Sequence, residues 1–410
     1  MRRLITVLFL LLATACAPSQ GFLVSRVSGE QTRGALVAIR GDALVFASGG
    51  VQITTPLRDI LALHGAAPRV RAPATVYLTG GEELKGELSG GDDLGDHLIF
   101  KSVVLGTRKI PVDRLRSLVF RERTKGASAE DFSLPEDAKF VEAIFRKARR
   151  GFDMLGGELE RFAPEGLHFA QPGGKARLFR YETLAALAIR DGVEAEKPGD
   201  WLLVTAAGDR LRVTLSEVTA TKITLATGFG PVSLAHAQVA ALTKVVGDRV
   251  FLSDMTPQRV AESGSDGNLG AEPLFSFRRD RTVSGGMIGD QNALADGFLV
   301  VGGRTYGKGI GVHSRCTLTY RVPPKMTRFH AKVAIDDEVK SLGVKGDVDV
   351  LVRVGGNVLF RHKGLRLGQG PKSLGTLKVK PGSLLTLEVD FGKGLFLGDR
   401  VDWLSAVFLR

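Results

Sequence analysis

The residue types best suited to chemistry crowd into residues 306–322, "YGKGIGVHSRCTLTYRV", where three glycines, Lys308, His313 and Cys316 lie close together. A phosphate loop needs a glycine-rich turn, then Gly-Lys-Ser/Thr and a helix. Here Lys308 precedes Gly309 and Gly311, and the "TLTYRV" that follows reads as a strand. A dinucleotide fingerprint fails at Ser314, which stands where its third glycine belongs. A Cys316 nucleophile with His313 as base is also disfavoured, because side chains three apart on one strand point to opposite faces. Cys316 reads instead as a small buried hydrophobe. The glycines read as points of close backbone approach.

A second constellation, "GGDDLGDH", holds Asp92, Asp93, Asp96 and His97. Its spacing fits no calcium-loop template, and the segment reads as a solvated hairpin tip.

The elements that must carry these residues are strands. A chain of 410 residues predicts two to four domains, and 51 glycines among short apolar runs favour strands joined by tight turns. The N-terminal half repeats one outline four times, over 22–66, 70–122, 152–192 and 199–246. Its central strand ends at Phe46, Phe100, Phe169 and Leu225, and an apolar pair at i, i+3 follows: Ile60/Leu63, Leu115/Leu118, Leu184/Leu187 and Val239/Leu242. The polar link before each pair ("PLRD", "PVDR", "RYET", "AHAQ") has the length of a single helical turn. Between the second and third repeats, "EDAKFVEAIFRKARRGF" places Phe140, Ile144 and Phe145 on one helical face, with acids early and arginines late. This spacing predicts a connecting helix over 135–151.

From residue 249 to 410 the strands "TLTYRV", "RFHAKVAI", "DVDVLVRV", "NVLFRH", "GTLKVK", "LLTLEVDF" and "WLSAVFLR" recur between Gly, Pro and Asp, the pattern of a sandwich. The expected fold class is therefore mainly β: tandem small β-barrels followed by a β-sandwich.

Two resemblances sharpen this. The repeats, most fully through Gly81, Leu84, Gly86 and Leu88, resemble the Sm-like or SH3-like barrel. The run "GKGIGVHS", "IDD", the strand pair "VRVGGNVLF" and "DRVDW" resemble the NPCBM/NEW2 domain, a family of carbohydrate-binding modules, over 249–410. That resemblance implies a galactose-binding-like jelly roll with sugar loops at one end. It offers His313, Asp336, Asp337, Asp402 and Trp403 as sugar-binding candidates, with Tyr306 and Arg315 beside them. It requires no cofactor and leaves room for a structural calcium near Asp336 and Asp337, as galactose-binding-like folds often carry. Trp403 on an alternating strand is equally a core residue. Asp336 and Asp337 can instead cap a turn, and His313 can hold a loop through backbone hydrogen bonds.

The N-terminus reads as an export signal over 1–17: Met1-Arg2-Arg3, an unbroken apolar run from Leu4 to Leu12, then "ATACA". "ATAC" resembles the lipobox of bacterial lipoproteins, with Cys16 as the lipidated residue; plain cleavage near Ala15 or Ala17 is the alternative. The expected location is periplasmic, cell-surface or secreted. With Cys316 as the other cysteine, no disulfide framework is expected. A formal charge of +12 invites nucleic acid, but the basic residues are scattered among acidic ones and export removes that partner. The expected partner is a polysaccharide or other glycan, with anionic character suiting the charge. Membrane contact is expected only through a lipid anchor. The leading expectation is an exported, non-catalytic glycan-binding protein with the barrels as scaffold. The alternatives are a cell-surface structural or protein-interaction protein and, with no paired acids at equivalent repeat positions, a glycoside hydrolase.

Overall fold

Runs such as "LVF" and "ILAL" bury both faces, and the glycine turns between them fold each repeat onto itself. The computed structural model describes residues 21–70, 72–124, 132–190, 199–263, 276–283, 297–394 and 396–410, so the export signal and Cys16 lie outside the described residues. The first unit comprises strands Phe22–Arg26, Gln31–Arg40, Ala43–Ser48, Val51–Pro56 and Ile60–His64, with a 3-10 turn at Leu57–Asp59 before the last. The strands pair antiparallel in sequence order, and the closing strand returns to the first. The same plan recurs over 74–120, 142–189 and 201–244, with 3-10 turns at Val112–Arg114, Tyr181–Thr183 and His236–Gln238. In each unit the long second strand slips register at the equivalent place: Leu36/Ala38, Leu88/Gly90, Leu159/Arg161 and Leu215/Glu217. Such bulges bend a strand so that one sheet can curl into a barrel. Phe46, Phe100, Phe169 and Leu225 are fully buried inside it.

The connecting helix expected over 135–151 is not formed. Residues Glu142–Lys147 are instead the opening strand of the third unit, paired with both Phe152–Phe162 and Leu184–Ile189. Ile144 enters the barrel core, while Ala143 and Phe145 pack on the opposite side with Phe132. A short helix has little stability of its own, and two waiting strand partners with burial on both faces outweigh its periodicity.

The units associate in pairs through their closing strands. Leu63 lies opposite Leu242, joining the first unit to the fourth, and Leu118 lies opposite Leu187, joining the second to the third. A bridge between Glu83 and Arg210 links the two pairs.

The C-terminal part is a sandwich. One sheet orders strands Arg278–Arg279, Gly309–His313, Arg400–Leu409, Arg328–Ile335 and Lys372–Lys378, with Arg249–Phe251 also on Arg400–Leu409. The other orders Arg259–Glu262, Cys316–Arg321, Leu384–Phe391, Val348–Val354 and Asn357–Leu365. Every residue of Arg400–Leu409 is buried. Its inner face, with Trp403 and Phe408, fills the sandwich core. Its outer face is covered twice: Leu404 lies under a hairpin of Leu299–Val301 and Arg304–Tyr306, and Val407 and Leu409 meet Leu61 of the first barrel.

The hairpin also ties the sandwich to the first barrel. Thr305 Oγ1 donates to the Ala66 carbonyl at 2.9 Å, and the His64 ring bonds Thr305 O and Ser25 Oγ, each at 2.9 Å. Arg249 donates to Ile60 O and Arg58 O at 2.9 and 2.8 Å. Barrels and sandwich therefore share buried surface.

Candidate functional site

The glycines of residues 306–322 do what close approach requires. A Cβ on Gly309 would stand 2.6 Å from the Trp403 carbonyl, and one on Gly311 would stand 2.4 Å from that of Arg281. Lys308 is buried and its ammonium pairs with Asp254 and, at 2.7 Å, with Asp280. Asp280 also meets Arg210 of the fourth barrel at 3.3 Å. The lysine of the glycine-rich stretch is thus a clamp between domains.

The same strand delivers His313 to one end of the sandwich. Seven strand ends converge there, because Gly309–His313, Arg328–Ile335, Leu384–Phe391 and Asn357–Leu365 end where Cys316–Arg321, Val348–Val354 and Arg400–Leu409 begin. Ser314 Oγ donates to Asp399 Oδ2 at 2.7 Å, and Asp399 Oδ1 accepts from Asp347 N at 3.0 Å. Asp347 Oδ2 accepts from Arg366 Nε at 3.0 Å, while its buried Oδ1 has no partner among the described residues. Arg315 donates through Nε to Asp390 Oδ1 at 2.6 Å and lies over the Phe391 ring, 4.9 Å from its centroid. His313 Nδ1 bonds Ser314 O at 2.8 Å, and Phe396 stands 6.4 Å from the imidazole. Burial lowers the pKa of His313, which favours the neutral ring. Burial, with the Asp347 charge near, raises Asp399 to about 6.

This end offers what sugar hydroxyls need: guanidinium donors, carboxylate acceptors and half-buried aromatic rings. Of the expected site residues it brings together His313 and Arg315. It adds Ser314, Asp347, Arg366, Asp390, Phe396 and Asp399. Ser314 and Asp399 sit inside the quoted segments "GKGIGVHS" and "DRVDW", so that signal was present; Arg366, in a glycine-flanked turn, had none.

The other candidates stand elsewhere. Trp403 is 1% exposed and belongs to the sandwich core, so its face cannot stack on a sugar. Its strand is central and covered on both sides, which alternation alone does not reveal. Tyr306 is buried against the His64 ring, with centroids 4.2 Å apart, at the barrel interface. Burial there raises its phenol to about 12.

Asp336 caps the 3-10 turn Asp337–Leu342, accepting from Glu338 N at 2.7 Å and from Val300 N at 2.8 Å. Asp337 accepts from Gly303 N at 2.7 Å and pairs with Lys340 at 2.9 Å. Both therefore hold the 299–306 hairpin on the sandwich. Asp402 is fully buried on the outer sheet face, its oxygens without a hydrogen-bond partner of ordinary geometry among the described residues. Burial and the neighbouring Asp336 and Glu338 raise its pKa well above the usual carboxylate value, which favours its protonated form. Among the described residues no three His, Cys, Asp or Glu side chains converge as a metal-ligand set, around Asp336 and Asp337 or in the Asp92–His97 turn. In that turn His97 Nδ1 bonds Asp92 Oδ2 at 2.8 Å.

The fold and site define a β-sandwich with a polar loop end, carried on small barrels. Residues 248–409 match the family model described as the NPCBM/NEW2 domain. No curated protein matches the chain. Among solved structures it is similar to the second CBM51 and INT domains of Clostridium perfringens ZmpB in complex with GlcNAc, at 22% identity and a TM-score of 0.32. That match covers 46% of this chain and 36% of that one, so the chain spans about a third of that neighbour. The CBM51 of Clostridium perfringens GH95 in complex with methyl-galactose is 18% identical with a TM-score of 0.31, covering 39% of this chain and 99% of that one. The tandem CBM51 modules of the family 98 glycoside hydrolase of Streptococcus pneumoniae are 11% identical with a TM-score of 0.31, covering 95% and 88%.

Proposed function

We propose that this protein is an exported, non-catalytic glycan-binding protein whose sandwich recognises sugar at the loop end built by His313, Ser314, Arg315, Arg366 and Asp399. The observation that carries this reading is the convergence of "GVHSR" and "GDRVDW" there, inside the segment that matches a carbohydrate-binding module. The four barrels act as a platform that covers the outer face of one sheet and leaves the loop end clear. A non-catalytic role is supported by the state of the carboxylates. Asp390 is paired with Arg315, and Asp347 and Asp399 are buried and engaged by protein groups. A glycosidase needs two carboxyl groups facing across the scissile bond. Export is supported by the sequence of residues 1–17.

The test is a screen of the full chain against a glycan array and insoluble polysaccharides, with a hydrolysis assay alongside. Saturable binding competed by free sugar, abolished in Arg315→Ala with an unchanged thermal transition, is the expected result. Silence across the screen from a folded chain, or sugar release lost on substituting a carboxylate, would refute the reading.

A further inference from the structure

We infer that the glycan taken at the loop end is acidic, bearing carboxylate or sulfate groups; this rests on the glycan-binding reading above. The chain carries its positive charge unevenly. Residues 249–410 hold 24 Lys and Arg against 16 Asp and Glu, whereas 21–248 are close to balance.

At the loop end the imbalance sharpens, because the fold draws the acids inward. Asp347 and Asp399 are both buried. Each accepts hydrogen bonds from protein groups. The cations face outward: Arg315, Lys340, Lys345, Arg366 and Lys393 are exposed on the loops that join the converging strand ends. Asp390 is the exposed carboxylate among these loops in the described residues, and it is already spent on Arg315. Asp337, half-buried, is paired with Lys340.

Neither arginine is used up by its carboxylate. Arg315 donates through Nε and Arg366 through one edge, so each retains guanidinium N–H groups directed away from its partner. Leu367 N donates to Lys345 O at 2.9 Å, which keeps Arg366 and Lys345 on adjoining loops. A neutral sugar would leave Lys345 and Lys393, which have no ion pair among the described residues, without a counter-charge, while an acidic one supplies it and offers further acceptors to the free guanidinium edges.

The experiment measures binding of the full chain to polygalacturonate, to carrageenan, which carries sulfate without carboxylate, and to an uncharged galactan. The same titrations use the double variant Lys345→Gln/Lys393→Gln, whose side chains lie on the surface. The expected result is binding to one or both acidic polymers in preference to the galactan, with the responding arm naming carboxylate or sulfate. Affinity should fall on the order of tenfold in the double variant, and again between about 50 and about 500 mM NaCl. Uncharged galactan bound as tightly as either acidic polymer would overturn the acidic preference and leave the glycan reading standing. Acidic-polymer binding untouched by the double variant would place any charge recognition elsewhere and equally overturn it. If none of the three is bound while the array shows a neutral sugar, this inference alone falls; if the array is also silent, both fall.

Discussion

Leu63 and Leu242 lie directly opposite one another on antiparallel closing strands of the first and fourth barrels. They occupy the same position of the repeat, as do Leu118 and Leu187, which face each other between the second and third barrels. The chain thus builds the same two-barrel joint twice, pairing like with like and nesting one joint inside the other along the sequence. All four leucines are almost completely buried.

Leu242→Ala therefore removes side-chain packing from a barrel core that cannot collapse independently of its neighbour. It should cost about 2–5 kcal/mol in denaturant unfolding. The exposed Val51→Ala should move the midpoint by no more than about 0.5 kcal/mol. Equal effects would contradict the joint.

Trp403→Ala should destabilise the sandwich by about 3–5 kcal/mol. Loss of glycan binding should then follow the unfolding curve and be restored at low temperature or with stabilising osmolyte. A variant that keeps its thermal transition and still fails to bind would return Trp403 to the sugar site.

Lys308→Met breaks a buried pair from one side and leaves the Asp280 carboxylate to Arg210 and the Gly309 N–H. Arg210 compensates only part of that charge. The expected loss is about 3–5 kcal/mol. Differential scanning calorimetry should also show the sandwich and the barrels melting less cooperatively than in the parent. A single unshifted transition would show that Lys308 does not join them.

Stability should peak in mildly acidic solution. Burial, with Asp336 near, raises Glu338 from 4.5 to about 7, so as pH rises the unfolded chain releases this proton first. Its contribution is complete below about 4.5 and is lost as pH climbs through 7. His64 works in the opposite sense: burial lowers it from 6.5 to about 4, so as pH falls the unfolded chain takes up that proton first. Its contribution is present above 6.5 and is lost between 6.5 and 4. In a Tm-against-pH series, Glu338→Gln should flatten the alkaline limb and leave the acid limb intact. An alkaline limb of unchanged slope would exclude Glu338 as its source.

Much of this protein was legible along the chain. Alternation and turn chemistry are local, so the repeated outline, its short 3-10 links and the mainly-β class could be read from spacing, while the expected extent of the sandwich rested on the motifs that resemble the NPCBM/NEW2 domain. The role of the glycines in 306–322 was legible too, since the phosphate-loop and dinucleotide patterns both failed there and close backbone approach was the remaining use, as Gly309 and Gly311 show. What failed did so where a partner distant in sequence outweighed a local preference. Glu142–Lys147 has helical spacing and becomes a strand because Phe152–Phe162 and Leu184–Ile189 flank it. Trp403 looked available because alternation shows which residues share a face, while coverage of that face depends on another sheet. Asp336 and Asp337 looked like ligands, yet the backbone N–H groups of Val300 and Gly303 had already claimed them. The sequence by itself determined which segments pair locally and which motif residues travel together. Tertiary structure alone decided which charges face water, because burial at the loop end depends on seven strand ends meeting.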